Sequence, residues 1–287
     1  MQFDPRRLMA LDIPEVVQRY EPRDCVLYAL GVGAGMDPLD ERQLAFVDER
    51  RLRVVPTMAA VLGYEGFWIE QLPTGINAAR ALHAEQRLRI ETPLLPAGVI
   101  RRKTTVTRIV DRGAGRGAFV CTADTIVDDA SGKLLAVLDS TILCRDEGGL
   151  GGTHDRIAPP QVIPDRAPDG CITVPTSPQQ ALIYRLSGDA NPLHSDPAFA
   201  RAAGFSGPIL HGLASYGSAC LALLCAGGDR DPARVRAFDV RFSGPVSPGE
   251  ALELDHWQLG TSEIAFRLKV RDRGVVVVDN GRLEWIN

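Results

Sequence analysis

Two stretches of this chain carry the same punctuation. Tyr28-Ala-Leu is followed by Asp37-Pro-Leu-Asp40, and Tyr184-Arg-Leu is followed by Asn191-Pro-Leu-His194. Further along, Pro93-x-x-Pro96-Ala-Gly98 is answered by Pro245-x-x-Pro248-Gly249. Each half reads as a turn motif, a helix, then a run of strands, which fits duplication of one α+β unit. Proline, glycine, asparagine and aspartate are common in turns, so spacing alone leaves coincidence open.

The strands are read from alternation: His83–Ile90, Ile100–Val110, Ala118–Val127 and Lys133–Cys144 in the first half. Val235–Phe242, Ala251–Gln258, Glu263–Val270 and a last strand from Gly274-Val-Val-Val-Val278 follow in the second. Two helix candidates are apolar and rich in small residues. One is Pro56–Tyr64; the other runs from near His211 to Leu224 and is stopped by Gly227-Gly228. An all-round apolar helix is a buried one. Residues 1–23 are polar and interrupted by proline, which suits an arm or a short helix. The glycine- and proline-rich passage 151–175 suits a linker, which divides the chain into 1–150 and 176–287.

Between Asp189 and His194 sit Asn191 and Pro192, which favour a tight bend. Such a bend can turn both side chains into one small space. Ser195 or Asp196 can cap a short helix with Pro197 in its first position, and Gly204 suits its end. The free N–H groups of the later helix fall near Gly212. An aspartate and a histidine beside a helix N-terminus can hold a water and polarise a carbonyl. Ser-Gly-Asp-Ala-Asn-Pro is also ordinary turn chemistry, and from spacing alone both readings stand.

Hydrophobic residues make up 45% and charged residues 24% of the 287, ordinary for a soluble globular protein. A net charge of −4 gives no basic footprint for nucleic acid. No apolar run approaches the roughly 20 residues that cross a bilayer. The N-terminus lacks a signal-peptide core and Glu284-Trp-Ile-Asn287 is not a peroxisomal address, so the cytoplasm is the expected location. The 6 cysteines form no C-x-x-C and share no ligand spacing with the 5 histidines, so reduced thiols are expected and a metal is not. Gly31-Val-Gly-Ala-Gly35 invites a dinucleotide reading. It fails because Met36 stands at the third glycine and Asp37-Pro38 follows where a helix should start. Gly113-Ala-Gly-Arg-Gly117, between two strands, suits a hairpin loop.

Tyr184, Ser187-Gly188-Asp189, Asn191-Pro192-Leu193-His194 and His211-Gly212 together resemble the hydratase motif of the MaoC-like family. The (R)-specific 2-enoyl-CoA hydratases, called hydratase 2, are the nearest resemblance, and it covers nearly the whole chain. It implies a double hotdog: two repeats, each a long helix wrapped by an antiparallel sheet. It implies hydration of a trans-2-enoyl-CoA to the (3R)-3-hydroxyacyl-CoA, with no cofactor, by a homodimer.

By the same resemblance Asp189 and His194 grip one water, Asn191 orients substrate or water, and the Gly212 N–H stabilises charge on the thioester oxygen. Ala190, Pro192 and Leu193 fall within the motif and are expected at the substrate. Phe242 suits an acyl or pantetheine contact, although a core aromatic explains it equally. His211 is read as a satisfied structural histidine. In the first half His83-Ala84-Glu85-Gln86 matches a ligand-contacting His-Gly-Glu-Gln segment, with Ala84 departing from the glycine. Arg112 falls where a basic ligand contact is placed, and a solvated hairpin arginine is the competing reading. Asp40 stands where the first half's histidine falls, so that half is expected to do no chemistry. Two other readings stay open: an acyl-CoA-binding protein without turnover, and a 3-hydroxyacyl dehydratase acting on carrier-protein thioesters.

Overall fold

A computed structural model of the chain describes residues 3–151, 157, 159–226 and 230–286. Ten strands form: β1 (Val16–Tyr20), β2 (Ala81–Ile90), β3 (Gly98–Asp111), β4 (Ala118–Asp128), β5 (Leu134–Cys144), β6 (Gly170–Val174), β7 (Val235–Phe242), β8 (Leu252–Gln258), β9 (Glu263–Val270) and β10 (Val276–Trp285). All the strands expected from alternation are among them. They make one sheet in the order β1-β3-β4-β5-β2-β7-β10-β9-β8-β6, each neighbouring pair antiparallel. The first five strands and the last five follow the same internal order. The repeat seen in the turns is therefore a repeat of topology, and the architecture is the double hotdog.

The halves meet where β2 pairs with β7, from Glu85 opposite Arg241 to Arg89 opposite Ala237. The carboxylate of Glu85, almost fully buried, receives the Arg241 guanidinium at 2.5 Å across this seam. The second repeat wraps the helix Gly212–Ala226, whose residues from Ala214 to Leu221 are all buried. Polar groups on it are matched: Tyr216 donates to the Phe238 carbonyl and Ser218 to the Val32 carbonyl, both at 2.9 Å. Gly217 lets the first repeat come close, since a Cβ there would lie 2.4 Å from Val32. The expected stop at Gly227-Gly228 lies outside the described residues.

The first repeat departs from expectation in its helix. Pro56–Tyr64 was expected to be helical; the chain makes only a 3₁₀ turn, Pro56–Ala60. It is cut short because Gly63 adopts a left-handed φ of +67°. Two strands were not foreseen. β1 lies within the polar arm and β6 within the proline-rich passage, so 151–175 is not linker to its end. Both are five-residue edge strands, with one side open to solvent and little apolar alternation to reveal them. The Gly113–Gly117 loop is the β3–β4 hairpin turn. Gly31 ends a helix, Pro22–Gly31, where a dinucleotide fingerprint needs a strand. No helix among the described residues is long and apolar enough to cross a membrane.

Candidate active site

The helix Gln180–Tyr184 tightens into a 3₁₀ turn, Arg185–Ser187, and stops at Gly188. Gly188 has φ +121°, and a Cβ on it would meet the Tyr64 carbonyl at 2.9 Å. The reversal delivers Asp189. Its carboxylate accepts from the Asn191 N–H at 3.2 Å, and Asn191 in turn accepts from Leu193 at 3.0 Å. These two bonds fold the bend that presents His194. Asp196 then caps the helix Pro197–Ala202, accepting from Ala198 and Phe199, so the expected capping chemistry is present.

His194 is 8% exposed. Its Nδ1 lies 2.8 Å from the Ile209 carbonyl. A carbonyl only accepts, so Nδ1 carries the proton and Nε2 is left with its lone pair. Burial lowers the pKa of this ring, opposed by the Ile209 bond and by the Asp189 charge. The imidazole is thus neutral near pH 7 and fit to receive a proton. His211 is buried behind it, its ring stacked on His194 with centroids 3.6 Å apart. His211 Nε2 donates to the backbone carbonyl of Asp189 at 3.1 Å. Burial first, then the neighbouring His194, pushes its pKa down to about 3. The expected satisfied histidine is satisfied on one side only: its Nδ1 is buried without a partner among the described residues, as are Tyr184 Oη and Ser187 Oγ.

Asp189, His194 and His211 bring donor atoms within 4.8 Å of one another, close enough to raise a metal site. The stacked rings decide against a shared ion. Ring lone pairs lie in the ring planes, and two planes tilted by only 26° share no point within the roughly 2 Å of a metal–nitrogen bond. The cluster suits proton transfer.

Beside this pair opens a cavity of about 620 Å³, walled by both repeats. That volume suits an extended small-molecule ligand. Asp189, Asn191, Leu193, His194, Gly212 and Phe242 line it from the second repeat, and His83 from the first. Gly212 opens the long helix, while the His211 carbonyl accepts from Ala214 and Ser215. The N–H groups of Gly212 and Leu213, at the very start, have no acceptor inside the helix, and both residues line the cavity. Phe242 packs on the Gly212 Cα face, where a Cβ would come within 3.2 Å of its ring. The His83 ring lies tilted against Phe242, centroids 4.9 Å apart, and burial pushes its pKa down to about 4, so it is a neutral wall residue.

Four expected residues are not on the wall. Ala190 and Pro192 lie on the exposed side of the bend. Ala84 sits in a bulge of β2 between His83 and Glu85. Arg112 is in the β3–β4 turn, its guanidinium over the Phe119 ring and donating to the Arg116 carbonyl. Gln86, from the foreseen His83–Gln86 segment, is on the wall; wall residues not foreseen include Tyr64, Arg102, Thr122 and Asp124. For Arg102, Thr122 and Asp124 the one signal is polarity at inward positions of first-half strands.

Known proteins resemble this chain in sequence and in fold. A family model described as MaoC like domain matches residues 160–280, and one described as MFE-2 hydratase 2 N-terminal domain matches 18–146. A 3-hydroxyacyl-thioester dehydratase of Mycobacterium tuberculosis is 40% identical, covering 100% of this chain and 99% of its own. An enoyl-CoA hydratase of the same organism is 38% identical, covering 96% and 97%. The crystal structure of a MaoC-like dehydratase from Phytophthora capsici matches with a TM-score of 0.86 at 33% identity, over 99% of each chain. With both halves matched in sequence and the whole in structure, the chain belongs to the MaoC-like hydratase 2 family.

Proposed function

We propose that the chain hydrates trans-2-enoyl-CoA thioesters reversibly to (3R)-3-hydroxyacyl-CoA in fatty-acid or related acyl-CoA metabolism. The observation that carries this is the Asp189–His194 pair at a large cavity, beside the N-terminus of the Gly212–Ala226 helix. A water held by the pair attacks C3 of the enoyl group. Its proton passes to the pair, with His194 Nε2 the free acceptor. Electrons move from the C2–C3 double bond onto the thioester oxygen. The Gly212 N–H and the positive helix end stabilise that charge. The enolate collapses, C2 takes a proton back from the pair, and the site ends as it began. Dehydration is the same path reversed, which accommodates relatives named for either direction.

The division of labour is also our reading. The second repeat, from about residue 176, does the chemistry, and the first, to 150, shapes the acyl and coenzyme A site. Asp40 supports this: it caps a short helix and pairs with Arg42 at 2.9 Å, a structural use of the position. His83 and Phe242 contact the acyl or pantetheine chain, and Arg112 meets coenzyme A phosphate. A homodimer in the cytoplasm completes the proposal; light scattering should give twice the 31.1 kDa chain mass.

The test is a series of trans-2-enoyl-CoAs followed by loss of the conjugated absorbance, with chiral analysis of product. The expected product is the (R)-alcohol. Folded protein giving the (S)-alcohol, or no turnover along the series, would sink the proposal.

A further inference from the structure

The inner faces of the two half-sheets differ. On β9 the inward residues are Ile264, Phe266, Leu268 and Val270, all buried in the core. On β4, which holds the same place in the first repeat, they are Ala118, Val120, Thr122, Asp124 and Ile126. The two polar residues belong to a band that crosses the sheet. Register sets Thr104 opposite Asp124, Thr122 opposite Ser140, and Ser140 opposite Gln86. All five line the cavity. They face it because the first repeat has only its short 3₁₀ turn where the second has a long helix. Arg102 binds the carbonyls of Ala60 and Leu62 at the end of that turn and pairs with Asp124 at 2.8 Å.

A wall built only for a hydrocarbon tail would be apolar, since buried polar groups are costly unless bonded. The band's charges cancel: Arg102 is paired with Asp124, which also accepts from Thr104. Ser140 donates to Gln86 at 3.0 Å and accepts from no described residue, while Thr122, 3% exposed, donates to none of them. Spare capacity is thus neutral hydroxyl. Tyr64 relates the band to the reacting groups. Burial pushes its hydroxyl pKa up, the Asp189 charge adds to that, and Arg102 opposes it. Tyr64, Asp189 and Arg102 all line the one cavity. Phe67, Trp68 and Leu72 add apolar surface to the cavity lining.

We propose that the acyl group of this enzyme's substrate carries a neutral hydroxyl or ketone oxygen at its far end, received by Thr122 and Ser140. The inference rests on the hydratase reading and names its substrate class. The experiment pairs enoyl-CoAs of equal length ending in methyl, hydroxymethyl, methyl ketone or carboxylate. At least one neutral oxygen substrate should gain about tenfold or more in kcat/KM over the methyl one, the scale of one satisfied hydrogen bond. Thr122→Val, and independently Ser140→Ala, should shrink that gain, with melting temperature as the folding control. Equal or better turnover of the methyl substrate would overturn the proposal, as would a carboxylate outdoing both neutral oxygens. Calorimetric binding of the saturated acyl-CoA pair separates this from the parent reading. Tighter binding of the oxygenated chain without hydration of any enoyl-CoA would keep the subsite and reject the hydratase.

Discussion

The His211 ring lies flat on the His194 ring, 3.6 Å between centroids, while its Nε2–H holds the Asp189 carbonyl at 3.1 Å. One buried side chain thus holds both members of the proposed acid–base pair, the ring of one and the backbone of the other. His211→Phe keeps a stacking ring and loses the donor; His211→Asn keeps a donor and loses the stack. We expect kcat to fall about 10²-fold in the phenylalanine variant, the scale of a small misplacement of reacting groups. The asparagine variant should recover part of it. Steady-state kinetics with circular dichroism as control decide; unchanged kcat in both variants would remove His211 from the site.

The pH profile follows from the same burial. Protonated His194 has no lone pair at Nε2, so activity should be full above its pKa and lost below. Its pKa is lowered, so the acid limb of kcat/KM should lie below the unperturbed value of about 6.5. Folding follows the same sign. The unfolded chain binds protons at His194 and His211 first as pH falls, so stability is complete above about 6.5 and declines toward the folded values. An acid limb above that value would contradict the neutral, buried imidazole.

Asp189→Ala and His194→Ala should each lower kcat by about 10²–10⁴, the range of general acid–base contributions. Asp189 is half-buried at a turn and His194 packs beside His211, so thermal melts must accompany the kinetics. A folded variant keeping roughly a third of kcat would be far outside that range.

Gly212 separates two roles. Gly212→Ala keeps the N–H, but its methyl meets the Phe242 ring at 3.2 Å and narrows the wall, so KM should rise most. Gly212→Pro deletes the donor in a helix turn that tolerates proline. It should cut kcat by about 10²–10³, the usual effect of losing one oxyanion donor. Near-normal kcat in a folded proline variant would give the oxyanion to another group.

A cavity of about 620 Å³ is larger than a four-carbon acyl chain requires. Medium and long enoyl-CoAs should therefore be turned over, with kcat/KM level or rising beyond crotonyl-CoA. A steep decline there would show that the first-repeat wall is closed to the chain.

Much of this was legible in the residues. Strands β2 to β5 and β7 to β10 alternate because one face is buried, and that period survives in sequence. The Asp189 bend was legible because Gly188, Asn191 and Pro192 each do one local job. The rest depended on pairing. β1 and β6 are strands only because β3 and β8 accept them. Thr104, Thr122 and Ser140 look like ordinary alternation until register lines them up across neighbouring strands. His211 needed the fold too, since its stacking partner lies 17 residues earlier and the helix start brings them together.

The identical strand order of the two halves has a consequence for how such an enzyme changes over time. In a symmetric dimer every substitution in the wall is made twice, once beside each catalytic pair. In a fused chain it is made once, in the half that on the proposed division of labour does no chemistry. The first repeat can drift toward new acyl groups while Asp189 and His194 stay under undivided selection, so diversity should gather on β3 to β5 and spare the bend.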